Sequence, residues 1–200
     1  PGLNAAFVNI GHEKDAFIHY LDLGANFASL QKIVDSRDKS KNMLRVESMK
    51  LEALLEKEGR IGDHLKVGDT VMVQISKEAI STKGPRLTAD ISLAGRNVVL
   101  VPFSNKVFVS TKIRSNAEKK RLRKVALDVL PKNFGVIIRT AAAEAEDIDI
   151  MQDILSLVER WNKALSTMRK SVAPARIMSE MSRVNTIIRD SLNDTFSQIT

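Results

Sequence analysis

The sequence predicts an α+β chain: a small β-barrel with a helical insertion, then a small α/β unit, then a C-terminal helical segment. Three observations lead there. Short apolar strands set off by Gly- and Pro-containing turns run through the first half, as in small barrels. A stretch with apolar residues at helical spacing interrupts them. The second half then alternates an apolar strand, a helix, a second apolar strand and a long amphipathic helix, an order that calls for a separate unit. The 200 residues allow one or two small domains.

Taken in order, residues 5 to 20 (AAFVNIGHEKDAFIHY) read as a hairpin, because apolar and aromatic residues flank a polar turn at Gly11 to Asp15. Val67-Gly68-Asp69 leads into a half-buried strand over Thr70 to Ile75. A turn at Thr82-Lys83-Gly84-Pro85 precedes another strand over Arg86 to Ile91. Between Ser36 and Glu58, Met43, Leu44, Val46, Met49, Leu51, Leu54 and Leu55 recur at helical spacing. They predict a helical excursion that ends near Gly59 and Gly62. Asn97 to Pro102 is a fully apolar strand, Ala117 to Val129 a helix, and Phe134 to Arg139 a buried strand. Ile148 to Ser171 is a long amphipathic helix carrying Ile150, Ile154, Leu157, Val158, Trp161 and Leu165. Pro174 interrupts, and Ser179 to Phe196 resumes a helix. The domain boundary is placed near Leu93-Ala94-Gly95.

Composition narrows the chemistry. With 44% hydrophobic and 28% charged residues the chain reads as folded. No cysteine is present, which excludes disulfides, thiolate metal sites and a cysteine nucleophile, and is compatible with a reducing cytoplasm. No apolar run approaches the ~20 residues of a membrane span. Pro1-Gly2-Leu3-Asn4 is neither an initiator Met nor a signal peptide, so the chain reads as a piece of a longer protein. A net charge of +7 and a pI near 9.7 point to a polyanionic partner. Ser104 to Lys124 holds eight Lys and Arg against the single acid Glu118, whereas Ala141 to Glu159 holds six acids and no base. Either block could be no more than a solvated helix face.

Phe7 and Phe17 stand ten apart on the two hairpin strands. They are either barrel core or a stacking surface for bases. Arg139 and Thr140 end a buried strand, where a guanidinium fork and a hydroxyl could hold phosphate oxygens or pair with the acidic helix that follows. Glu144, Glu146, Asp147, Asp149 and Asp153 crowd a helix start, as dipole-complementing residues do. His12, His19 and His64 show no ligand spacing. No metal site and no nucleophile-base arrangement is predicted.

The segment PGLNAAFVNIGHEKDAFIHYLDL resembles the S1 RNA-binding module as it occurs in the ribonuclease E/G family. QISKEAISTKGPRLTADISLAGRNVVLVP, followed by GVIIRTAA, is similar to that family's continuation into its 5′-sensor domain. The likeness covers nearly the whole chain apart from about 29–66. It implies an OB-fold (S1-like) barrel over 1–94 whose first strand precedes Pro1, a 5′-sensor-like α/β domain over 95–175, and the start of an RNase H-like domain over 176–200. It also implies a cytoplasmic endoribonuclease of RNA processing and decay that acts on single-stranded RNA and senses a 5′-monophosphate. Magnesium, a zinc link and a homo-oligomer interface are expected in parts of the parent beyond these residues; this portion is expected to need no cofactor, to meet no membrane, and to bind RNA without cutting it. Residue by residue, Phe7 and Phe17 match the family's RNA-stacking aromatics, Lys83 its neighbouring basic residue, and Lys77 is a weaker companion. Arg139 and Thr140 match the pair that binds the 5′-phosphate, Gly95 the phosphate-contacting backbone position, and Val99 the residue under the terminal base. Val109 to Ile113, with Lys112, matches a segment that usually reads with Gly and two basic residues, but Phe108 and Thr111 depart from that pattern. A further family arginine lies beyond Thr200. The rival reading is a non-catalytic S1 protein, ribosome-associated or an RNA chaperone.

Overall fold

The computed structural model describes residues 2–37, 45–81 and 83–179. Its elements are β1 (Ala5–Val8), β2 (Ala16–His19), α1 (Phe27–Asp35), β3 (Gln74–Lys77), β4 (Arg86–Thr88), β5 (Leu93–Ala94), β6 (Val98–Pro102), β7 (Val107–Val109), α2 (Asn116–Val129), β8 (Phe134–Ile138) and α3 (Asp147–Lys170). They build two four-stranded sheets, β1-β2-β4-β3 and β5-β6-β8-β7. The change of sheet falls between Thr88 and Leu93.

In the first sheet β1 and β2 form the expected antiparallel hairpin, β2 runs parallel to β4, and β3 pairs antiparallel with β4. Alternation sends Ala16 and Ile18 inward and Phe17 and His19 outward. The expected barrel is not closed: β1 and β3 are the two edges of this sheet. Four strands of three or four residues are too few and too short to curl edge to edge, which takes more strands at a steep tilt. The strand expected over Thr70 to Ile75 begins only at Gln74, and the one expected to reach Ile91 stops at Thr88.

The insertion departs most from expectation. The helix lies earlier, at Phe27–Asp35, where Phe27, Leu30, Ile33 and Val34 make one buried stripe. The described part of the segment expected to be helical, 45–58, is irregular apart from a single 3-10 turn at Val46–Ser48. Its polar backbone is satisfied by distant partners rather than by its own helix. Asn133 Nδ2 donates to the carbonyls of Val46 and Met49 at 2.7 and 2.8 Å, and the Glu52 amide donates to Ser29 Oγ at 2.9 Å. The Leu55 amide donates to the Ala25 carbonyl at 2.8 Å, and the Tyr20 hydroxyl to that of Glu56 at 2.7 Å. Apolar spacing alone cannot distinguish this laid-down strap from a helix.

The second sheet follows the sequence closely. Its inner face, Val98, Leu100, Val107, Phe134, Val136 and Ile138, is buried under α2 and α3. Ser115 Oγ accepts the Glu118 amide to cap α2, and Asp147 and Asp149 at the start of α3 with Arg169 and Lys170 at its end complement the helix dipole. Trp161 meets Phe103 edge-on, ring centroids 5.8 Å apart. The helix expected over Ser179 to Phe196 lies outside the described residues from position 180 on. No described helix is long and apolar enough to cross a membrane.

Candidate nucleic-acid interface

Two surfaces gather the residues singled out by the sequence. The first is the outer face of the β1-β2-β4-β3 sheet. Phe7 and Phe17 are direct cross-strand partners, with ring centroids 6.1 Å apart and planes at 68°. Phe7 is 70% exposed and Phe17 half-buried, so neither is core. The register continues from Phe17 to Arg86 and from Arg86 to Lys77 across a β-bulge. One lateral row of the sheet therefore reads Phe7, Phe17, Arg86, Lys77. Arg86 is exposed and held by a bidentate pair with Asp22, Nη2–Oδ1 at 2.9 Å and Nε–Oδ2 at 3.0 Å. That hydrogen bond and the Asp22 charge keep the guanidinium pKa above its ordinary value. Lys83 sits in the exposed turn closed by its backbone bonds with Ile80, 3.0 and 3.2 Å. Lys14 Nζ donates to the Ser81 carbonyl at 3.0 Å, which brings the β1–β2 turn against the Lys83 turn.

Arg86 and Lys14 were not among the residues picked from the sequence. The outward position of Arg86 follows from the burial of Leu87 beside it, a local signal. Its place next to Phe17 comes from the parallel β2–β4 pairing, which joins positions far apart in the chain.

The second surface is the end of the other sheet, where β8 and β7 finish and β6 begins. Arg139 follows β8 directly; its amide donates to the Asn97 carbonyl at 2.8 Å. Its Nη1 donates to the carbonyls of Gly95 at 2.7 Å and Arg96 at 3.4 Å. Thr140 is exposed, its hydroxyl 3.1 Å from that of Ser110. The Ser110 amide donates to the Ile138 carbonyl at 2.9 Å, and the Lys112 amide to Ser110 Oγ at 3.4 Å. Arg139, Thr140, Ser110, exposed Lys112 and the Gly95 turn thus form one cluster; Val99 pairs with Ile137 just inside it. Ser110 is a further residue that the sequence did not single out.

Gly95 differs from expectation in its immediate role. Its amide donates to the Val98 carbonyl at 2.8 Å and is therefore committed to the turn. The neighbour that excludes a side chain is Asp153 of α3: a Cβ at Gly95 would collide with that carboxylate. Asp153 Oδ2 accepts the amides of Asn97 at 2.7 Å and Val98 at 3.2 Å. The acid block consequently serves structure here. Asp153 clamps the turn beneath Arg139, and Asp147 pairs with Arg121.

Of the basic block, Arg121 is drawn inward, bonded to Glu118 through Nη2 at 2.6 Å and Nε at 3.0 Å, and to Asp147. Hydrogen bonding to Arg121 holds the Glu118 carboxyl below its ordinary value. Lys106, Lys112, Arg114, Lys120, Arg123 and Lys124 remain exposed in the loops before and after β7 and on α2. His19 Nδ1 accepts the Leu21 amide at 3.1 Å, and His64 lies against Tyr20. Among the described residues, no group of three or more His, Cys, Asp or Glu side chains could hold a metal ion.

Comparison with known proteins gives a consistent result. Residues 92–200 match the model of the ribonuclease E/G family. The chain is 33% identical over 191 residues to Ribonuclease E of Nostoc sp., covering 95% of this chain and 24% of that protein. It is 32% identical over 199 residues to Ribonuclease G of Haemophilus influenzae, covering 100% and 37%. With Ribonuclease G of Escherichia coli K12 it shares 30% over 194 residues, covering 95% and 35%. The chain thus spans 24% to 37% of the length of these relatives. A solved Staphylococcus aureus RNase P protein aligns with 36% of the chain at TM-score 0.31 and 20% identity, too low a likeness to bear on the fold.

Proposed function

The chain belongs to the ribonuclease E/G family, and from that membership we propose that these residues are the RNA-binding and 5′-monophosphate-sensing portion of an endoribonuclease of RNA processing and decay. One observation carries the RNA-binding part: Phe7 and Phe17 face each other on an outer sheet surface, in register with Arg86 and Lys77. Aromatic rings offer any base a stacking surface worth ~1–3 kcal/mol, and the cations beside them attract the backbone without reading sequence. That combination suits single-stranded RNA. On this reading residues 1–94 act as an S1-like module despite the open sheet.

The finer reading assigns the cluster at Arg139 to a 5′-phosphate. A terminal monophosphate carries more charge and more acceptor oxygens than an internal diester. A guanidinium fork with two hydroxyls nearby therefore prefers it. Arg139 is seated on the Gly95 and Arg96 carbonyls, which holds its guanidinium beside the Thr140 and Ser110 hydroxyls that would meet the phosphate with it. Because the Gly95 amide is spent on Val98, Gly95 acts by holding Arg139 rather than by donating to the ligand. Magnesium-dependent hydrolysis, zinc and oligomerisation belong, on this proposal, to parts of the parent outside these residues, and its site of action is the cytoplasm.

The test is a pair of binding isotherms at fixed salt, using one RNA sequence with a 5′-monophosphate or a 5′-hydroxyl. Tighter binding of the monophosphate is expected. Equal affinity for the two ends overturns the sensor assignment, and no salt-dependent binding of either overturns RNA binding.

A further inference from the structure

The outer face of the second sheet carries an apolar row that its two helices leave uncovered. Val99 of β6 is directly opposite Ile137 of β8, and Ile137 is directly opposite Phe108 of β7. Register partners share a face, so the three side chains lie side by side across three strands. Phe108 is 54% exposed, Ile137 42%, and Val99 half-buried. Side by side they make a contiguous apolar patch rather than scattered single residues, which is what marks a contact surface.

The two sides of the row, along β8, restrict the answer. Alternation puts position 139 on the same face as position 137, because Arg139 keeps an extended backbone (φ −79°, ψ 165°). One long side of the row therefore abuts Arg139 and the Ser110–Thr140 hydroxyl pair. On the opposite side the segment 104–106 closes over Gly135, where a Cβ would stand 2.6 Å from the Lys106 carbonyl and from Ser104 Oγ. The free surface is a short apolar shelf, about two strand spacings wide or ~10 Å, with cationic and hydroxyl donors along one side. An amphipathic helix does not fit that length, and a purely apolar ligand would waste the donors. A flat ring joined to an anionic group matches both.

We infer that Phe108 is a base-contacting specificity residue, its ring extending the shelf under the 5′-terminal nucleotide so that affinity depends on which base is there. The inference rests on the 5′-phosphate reading of Arg139. The ring adds area that Val99 and Ile137 lack, so a purine gains more than a pyrimidine and an abasic sugar gains nothing.

The experiment measures binding of 5′-monophosphorylated RNAs that differ only in the first nucleotide, which is adenosine, uridine or abasic, alongside the 5′-hydroxyl adenosine RNA. Wild type is compared with Phe108→Ala and Phe108→Tyr; an exposed position allows both to fold, and melting curves check it. For wild type, adenosine is expected to bind about tenfold tighter than abasic, with uridine between them. Phe108→Ala should level the three, and Phe108→Tyr should restore the order. The preference for phosphate over hydroxyl should persist in all three proteins. If wild type binds the abasic end as tightly as adenosine while still preferring phosphate, the Phe108 assignment is overturned and the sensor reading stands. A base preference that survives Phe108→Ala likewise overturns it. Loss of the phosphate preference in wild type overturns both.

Discussion

Arg139 Nη1 donates to the Gly95 carbonyl at 2.7 Å, so the guanidinium is seated on the very turn that the Asp153 carboxylate clamps from below. The arrangement fixes the long Arg side chain before any ligand arrives. Preorganisation of this kind removes part of the entropy cost of binding. Arg139→Ala should cost ~1.5–3 kcal/mol of affinity for 5′-monophosphorylated RNA and little for the 5′-hydroxyl end. Arg139→Lys should recover only part, because an ammonium lacks the fork. Paired isotherms on the two ends check it; equal losses on both would reduce Arg139 to a member of the general basic field.

On the other sheet, Phe7→Ala and Phe17→Ala should each weaken single-stranded RNA binding by ~1–3 kcal/mol, whereas Glu118→Ala should not. Their stability effects should differ: Phe7 is exposed and Phe17 half-buried, so only Phe17→Ala should lower the melting temperature clearly. Titrations paired with thermal melts separate the two effects. A Phe7 variant that binds normally would remove the stacking role.

The buried amide of Asn133 ties the insertion to the second half of the chain through the Val46 and Met49 carbonyls. Asn133 also has φ 64°, so Asn133→Gly removes the tie without backbone strain, at the cost of a more flexible unfolded chain. That change should destabilise by about 1–3 kcal/mol, read in a denaturant melt. Asn133→Ala should cost more, since it adds left-handed strain.

Acid should weaken the Glu118–Arg121 pair within α2. Hydrogen bonding to Arg121 lowers the Glu118 pKa from its ordinary 4.5, so the pair's contribution is present above that value and fades as pH falls through the lowered one. Melting temperature followed downward from neutral pH should therefore fall less steeply in Glu118→Gln than in wild type. Both side chains are partly exposed, and added salt should shrink the difference.

Cleavage offers a separate check. The 200-residue chain with magnesium or manganese should leave a labelled single-stranded RNA intact; cleavage that co-purifies with the monodisperse protein would place catalytic groups within these residues.

Local pattern was enough wherever a segment's own neighbours decide its structure. The hairpin at 5–20, the apolar strands at 97–102 and 134–139, and helices α2 and α3 were all legible because burial alternates or repeats within each segment. Phe7 and Phe17, ten residues apart across one turn, fall in the same class. Tertiary structure decided the rest. The strap at 45–58 carries helical spacing but finds its hydrogen-bond partners at Ala25, Ser29, Tyr20 and Asn133, and backbone groups satisfied from a distance have no need of a helix. Barrel closure was lost because strand length and number govern curling, and neither is fixed by alternation alone. Arg86 joined Phe17, Ser110 joined Thr140, and Asp153 filled the turn at Gly95 through pairings between distant strands and helices. Such pairings depend on which surfaces meet in the folded chain, which a residue's immediate sequence does not specify.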